Sequence, residues 1–127
     1  MQKQINAVKD FHITFKIDYN TEPNANLGDS KHRLRYDLMK EENEEYLEAT
    51  QNGDLVEIAD ALGDMLYILC GTIIEHGLQD KIEAVFDEIQ RSNMSKLDQN
   101  GKPIYREDGK VMKGINYVKP DFSKILK

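Results

Sequence analysis

Residues Ile58 to Ile74 hold only two charges, Asp60 and Asp64, in a run otherwise made of leucine, isoleucine, methionine, tyrosine and small residues. A helix of that composition must be covered on nearly every side, so it dictates the plan of the chain. It predicts a helix from near Asp54 to Gly77, whose glycine suits the left-handed position after a helix end. Two helices precede it. Ile5, Val8, Phe11 and Phe15 follow helical spacing as far as the loop Asn20-Thr21-Glu22-Pro23. Asp29 or Ser30 is the expected cap of the next, which passes through Leu34, Leu38 and Ala49 to the breaker Asn52-Gly53. A fourth, amphipathic helix presents Ile82, Val85, Phe86 and Ile89 and dissolves around Ser92. Turn signals at Asn100-Gly101-Lys102-Pro103 and Asp108-Gly109 make 97–118 an irregular arm or a short hairpin. The expected class is all-α. A chain of 127 residues suits one domain, with a helical core over about 3–94 and a C-terminal arm over about 95–127.

Charge narrows the function. Residues 1–90 carry 8 basic and 19 acidic groups, net −11, whereas 91–127 carry 9 basic and 4 acidic, net +5. An acidic body disfavours binding of a nucleic acid polymer by phosphate neutralisation. A basic tail beside it suits a small phosphorylated ligand bridged by cations. No uncharged run reaches the ~18–20 residues that span a bilayer, and Met1-Gln2-Lys3-Gln4 lacks the apolar core of a signal peptide, so a cytoplasmic protein without membrane partners is expected. The single cysteine, Cys70, sits in an apolar run and reads as a buried thiol.

The carboxylates are placed unusually. At about 100° per residue, Leu34, Leu38, Glu42, Glu45 and Ala49 fall within one arc of roughly 80°, so two acids interrupt an apolar stripe. On the next helix Glu57, Asp60, Asp64 and Tyr67 share a face opposite Leu55, Ala59, Leu62 and Leu66. A hairpin about Asn52-Gly53 brings Glu45 level with Asp60, and the two acidic faces converge. Two unit charges about 5 Å apart repel by roughly 3 kcal/mol at an effective dielectric of 20. Several such pairs are intolerable in a domain stable by about 5–15 kcal/mol unless protons or cations intervene. Oxygen-only ligands of high charge select hard cations, so Glu42, Glu45, Glu57 and Asp60 are the expected ligands of magnesium, with manganese as a substitute and more than one ion per site. Blander readings exist. Glu57 could be only the third residue of a capping box opened by Asp54, and the run Glu41 to Glu48 could be a solvated face.

These residues resemble a family. Glu41-Glu42-Asn43-Glu44-Glu45 fits E-E-x-x-E and Glu57-Ile58-Ala59-Asp60 fits E-x-x-D, in the order and separation of the all-α nucleoside triphosphate pyrophosphohydrolases, which include MazG-like enzymes, dimeric dUTPases and phosphoribosyl-ATP pyrophosphohydrolase. Asp10-Phe11-His12, Ala61 to Tyr67, Val85-Phe86, Ser92-Asn93-Met94-Ser95-Lys96 and Asp108-Gly109-Lys110 are similar to one MazG-like branch. The resemblance implies cleavage of a nucleoside triphosphate between the α and β phosphates, with dUTP or a non-standard deoxynucleotide as substrate. It implies metal ligation by Glu42, Glu45, Glu57 and Asp60, and a catalytic Glu41 that holds or deprotonates the attacking water. Asn93, Lys96 and Lys113 are the substrate-binding candidates, and Asp64 supports the site or contacts the nucleoside. The resemblance also implies a homodimer or homotetramer, which a helix as apolar as 58–74 would need for cover.

Two departures qualify the resemblance. The chain has no tryptophan, so any base stacking must use phenylalanine or tyrosine. His12 reads as structural, and His32 and His76 carry no evident chemistry. A nucleotide- and metal-binding regulatory protein without turnover is the competing reading, and a purely structural helical module a third.

Overall fold

The computed structural model describes all residues, Met1–Lys127. It is all-α, with four helices in chain order: α1 (Gln2–Thr14), α2 (Asp29–Gln51), α3 (Leu55–Glu75) and α4 (Ile82–Met94). The backbone divides into two compact units, Met1–Asp80 and Lys81–Lys127. The fourth helix therefore groups with the arm. No helix is long and apolar enough to cross a membrane.

In the first unit α2 and α3 form an antiparallel hairpin, and α1 packs on α3. The turn is tight because Asn52 ends α2 and Gly53 takes a left-handed conformation, φ 63°. Asp54 then starts α3, its carboxylate accepting the Glu57 N–H at 3.1 Å as the capping reading requires. At the far end α3 closes with a Schellman arrangement: Leu78 N donates to Ile73 O at 2.9 Å and Gly77 N to Ile74 O at 3.1 Å. Gly77 has φ 70°, and a β-carbon there would lie 2.0 Å from Glu22 O, so glycine is required twice over. The loop between α1 and α2 uses that proximity. Asn20 N bonds Ile74 O, Asn24 N bonds His76 O and Asn20 Nδ2 bonds Glu75 O, which satisfies the open carbonyls at the α3 end.

Two expectations are corrected. Neither Asp29 nor Ser30 caps α2: Asp29 is already helical, Gly28 at φ 91° is the N-cap, and no side chain caps it. The loop instead closes on the helix through the Leu27 N–H, which donates to His32 Nε2 at 2.9 Å. Nor is α3 covered nearly all round. Its buried residues are Ala61, Cys70, Gly71, Ile73, Ile74 and Glu75, whereas Leu55, Leu62, Leu66 and Leu69 stand exposed on one stripe. One hairpin partner and one short helix simply do not have the surface to enclose all of it.

In the second unit α4 runs to Met94, two residues past the expected fraying point, because Ser92 is buried. The arm returns along this helix. Glu88 accepts both Arg91 nitrogens, at 2.7 and 2.9 Å, and the Asp121 N–H at 2.9 Å, which holds its carboxyl at about 2. Val118 N donates to Ser95 Oγ, and Gly114 N to Lys96 O at 3.0 Å. Residue 114 must be glycine, since a β-carbon would lie 2.2 Å from Leu97 O. Between these anchors the arm forms the short hairpin expected around Asp108-Gly109, reduced to one antiparallel bridge, Tyr105 to Val111.

Candidate functional site

The hairpin does what the spacing of the acids demands. The side chain of Glu42 is half-buried, and its carboxyl is pushed up to about 7 by burial first, then by a hydrogen bond and repulsion from Glu45, and by the charges of Asp64 and Asp60. Four of the singled-out acids thus meet across α2 and α3. Burial raises the cost of charge on Glu42, and its neighbours raise it further, so the proton is retained to near neutrality. Even so, Glu42 Oε2 is buried without any hydrogen-bonding partner. A buried carboxylate oxygen left unpartnered costs free energy until a donor or a cation reaches it.

No lysine, arginine or histidine makes an ion pair with any of these acids; the chain's ion pairs all lie elsewhere. Hard oxygen donors, one of them orphaned, fit a divalent cation such as magnesium. The side chains as they stand do not close on one point: no three acids, histidines or cysteines form a ready-made metal cage. Glu57 is not among the groups that raise Glu42, and its backbone serves the α3 cap. Glu41, one residue before Glu42, is exposed.

The substrate candidates lie in the second unit. Asn93 is in the last turn of α4, Lys96 follows its end, and Lys113 is brought to Lys96 by the Gly114 anchor. Asn93, Lys96, Met94, Leu97, Pro103 and Val111 line an apolar-walled hollow of about 390 Å³. The ammonium of Lys113 lies 4.9 Å from the Tyr117 ring centre, a cation–π contact that restrains it.

A second charged centre was not anticipated. Glu75 is 1% exposed, and its Oε2 meets His12 Nε2 at 3.0 Å and Arg35 Nη1 at 2.9 Å. Lys31 Nζ approaches Oε1 to 3.1 Å as an ion pair outside hydrogen-bonding alignment. Arg35 also donates to Ile68 O at 2.8 Å and Thr72 Oγ1 at 3.0 Å. His12 Nδ1 faces Val8 O at 3.0 Å while Nε2 faces the Glu75 carboxylate, so both ring nitrogens meet oxygen acceptors. The guanidinium fits only because residue 71 is glycine: a β-carbon there would lie 2.7 Å from Arg35 Nη2. One carboxylate thus joins α1, α2 and α3. At 1.5 Å per residue it lies about 22 Å along α3 from Asp60. Its only sequence signal is a glutamate at the end of an apolar run, immediately before the helix stop. Cys70, beside this centre, is fully buried, and burial pushes its thiol up.

Two comparisons bear on this geometry. The family model for phosphoribosyl-ATP pyrophosphohydrolase matches residues 8–93, which include the second half of α1, all of α2 and α3, and most of α4. An uncharacterized protein of Acanthamoeba polyphaga mimivirus is 32% identical over 115 residues, covering 86% of this chain. The chain spans 46% of the length of that relative.

Proposed function

The chain belongs to the phosphoribosyl-ATP pyrophosphohydrolase family, within the all-α MazG-like superfamily, and on that premise we propose that it is a magnesium-dependent nucleotide pyrophosphohydrolase. The reaction is hydrolysis of a nucleoside triphosphate to the monophosphate and pyrophosphate, with dUTP or a non-standard deoxynucleoside triphosphate as the first candidates. The observation that carries this reading is the set Glu42, Glu45, Asp60 and Asp64, drawn together with a buried orphan oxygen and no cationic side chain paired to any of them.

Glu42, Glu45, Glu57 and Asp60 would hold magnesium, for which manganese can substitute, with more than one ion per site. When bound, the metal lowers the pKa of water, offsets phosphate charge and aligns attack with the leaving group. Glu41, solvent-exposed at the edge of the cluster, accepts a proton from the attacking water. The water oxygen forms the new bond to the α phosphorus, the bond from that phosphorus to the bridging oxygen breaks, and pyrophosphate leaves. Asp64, one turn beyond Asp60, supports the site or contacts the nucleoside. Asn93, Lys96 and Lys113 supply the amide and cations that bind phosphate or nucleoside.

A panel of triphosphates incubated with magnesium tests the reading. The preferred substrate yields equal amounts of monophosphate and pyrophosphate, and Asp60→Ala or Glu45→Ala lowers the rate by roughly a hundredfold or more, as loss of a metal ligand should. Orthophosphate as the first product places the cut at the γ position and overturns the mechanism. Nucleotide-induced rise in melting temperature without any turnover favours a binding protein instead.

A further inference from the structure

Three aromatic rings meet where α1 crosses α3. The Phe11 ring lies 4.5 Å from Phe15 and 5.6 Å from Tyr67, edge-on to the latter at 89°. Phe11 is the one phenylalanine or tyrosine ring in the chain that packs against two others. Ordinary core packing would hide such a group, yet Phe11, Phe15 and Tyr67 are 38%, 63% and 42% exposed. The rings are held in place while their outer faces stay open.

Their position is tied to the acids. On α3, Tyr67 follows Asp60 by seven residues and Asp64 by three, within one arc of roughly 60°. Tyr67 therefore lies about 10 Å along the helix from Asp60, which is the span from the phosphates of a nucleotide to its base. The exposed leucine stripe Leu55, Leu62, Leu66 and Leu69 points away from this arc, so a surface suited to a second copy of the chain is separate from the aromatic one. The continuous line Glu42, Asp60, Asp64, Tyr67, Phe11, Phe15 changes along its length from carboxylates to rings. A ligand matched to it has a polyphosphate at one end and a flat π system at the other.

We propose that Phe11, Phe15 and Tyr67 form the platform on which the base of the nucleotide stacks, with Phe15 supplying the open face and Phe11 fixing the other two rings. This rests on the pyrophosphohydrolase reading for the phosphate end. Stacking recognises the π face and discriminates weakly among bases, so any preference among them comes from hydrogen bonds elsewhere.

The test uses the full chain and the triphosphate turned over fastest in the panel. Phe15→Ala and Tyr67→Ala raise KM roughly tenfold, the loss expected for one stacked base, while kcat changes far less. Phe15→Tyr and Tyr67→Phe, which keep the rings, restore KM. An unchanged KM in both alanine variants overturns the platform. So does a drop in oligomer mass by light scattering that accompanies the KM rise, since the rings are then a subunit contact. A binding measurement separates this proposal from the reading it rests on. With no tryptophan present, nucleotide stacking quenches tyrosine emission, and wild-type quenching by a deoxynucleoside triphosphate without pyrophosphate release sinks hydrolysis alone. Quenching that persists in Tyr67→Ala and Phe15→Ala sinks the platform alone, as does the absence of quenching in a wild type that releases pyrophosphate.

Discussion

The two ends of the α2–α3 hairpin hold acidic groups on opposite terms. Far from the turn, Glu75 is buried and met by His12, Arg35 and Lys31, two cations and an imidazole around one carboxylate. Near the turn, Glu42, Glu45, Asp60 and Asp64 gather with no cation of the chain in an ion pair. The same pair of helices therefore both neutralises buried charge and declines to. Where the acid serves the fold, its partners are built in and they tie three helices together. Where the chain leaves acids uncompensated, the missing charge must come from a proton or from outside, and this asymmetry is the physical argument for a metal-dependent site.

The comparison breaks first if the far end is not structural. Removing Glu75 strands Arg35 and His12 in the interior, so Glu75→Ala should cost about 3–5 kcal/mol in urea denaturation. A loss below 1 kcal/mol would mean that the three partners are adequately hydrated and the hub is incidental. Gly71→Ala tests the same end through space alone. Its β-carbon displaces the Arg35 guanidinium, and the expected loss is about 1–3 kcal/mol with pyrophosphate release by the surviving folded protein unchanged.

At the open end the effects are smaller and of opposite sense. The native state keeps a proton on Glu42 up to about 7, whereas the unfolded chain releases it near 4.5. Native protein thus binds more protons between these values, so metal-free stability falls as pH rises through that window. Thermal melts between pH 5 and 8 in chelator should show the slope, and Glu42→Gln should flatten it. Magnesium reverses the trend, because at ten times its Kd it adds about 1.4 kcal/mol. A flat profile that magnesium leaves unmoved would place the acids in ordinary solvated positions.

Much of this was legible in the sequence, and the limits are instructive. Helical periodicity located α1 to α4, because local spacing decides which face is apolar, and Asp54 and Gly77 marked the two ends of α3. That Glu45 comes level with Asp60 was expected from their similar distances to the Asn52-Gly53 turn, and both act on Glu42. Glu75 was invisible because its partners are 63, 44 and 40 residues away, on two other helices, and no local pattern joins them. The start of α2 differs from expectation since Gly28 stands at the N-cap without a capping side chain, and His32 instead ties the preceding Leu27 N–H to the helix. The leucine stripe on α3 was legible as a face in need of cover, but a run of apolar residues does not state what supplies that cover. Likewise, absence of tryptophan pointed to phenylalanine or tyrosine for base contact, and only the crossing of α1 over α3 singles out Phe11, Phe15 and Tyr67.

The contact of Gly114 with the end of α4 has a consequence for how such a chain can vary. It clasps the arm at Lys96 and again just after Lys113, so the excursion over residues 97–113 is an interchangeable cassette whose two ends are fixed. Doubling a flexible loop costs only about 0.6 kcal/mol in closure entropy. Insertions at the Asp108-Gly109 tip, or replacement of the hairpin by a graft of different length, leave the separation of the two lysines as it is.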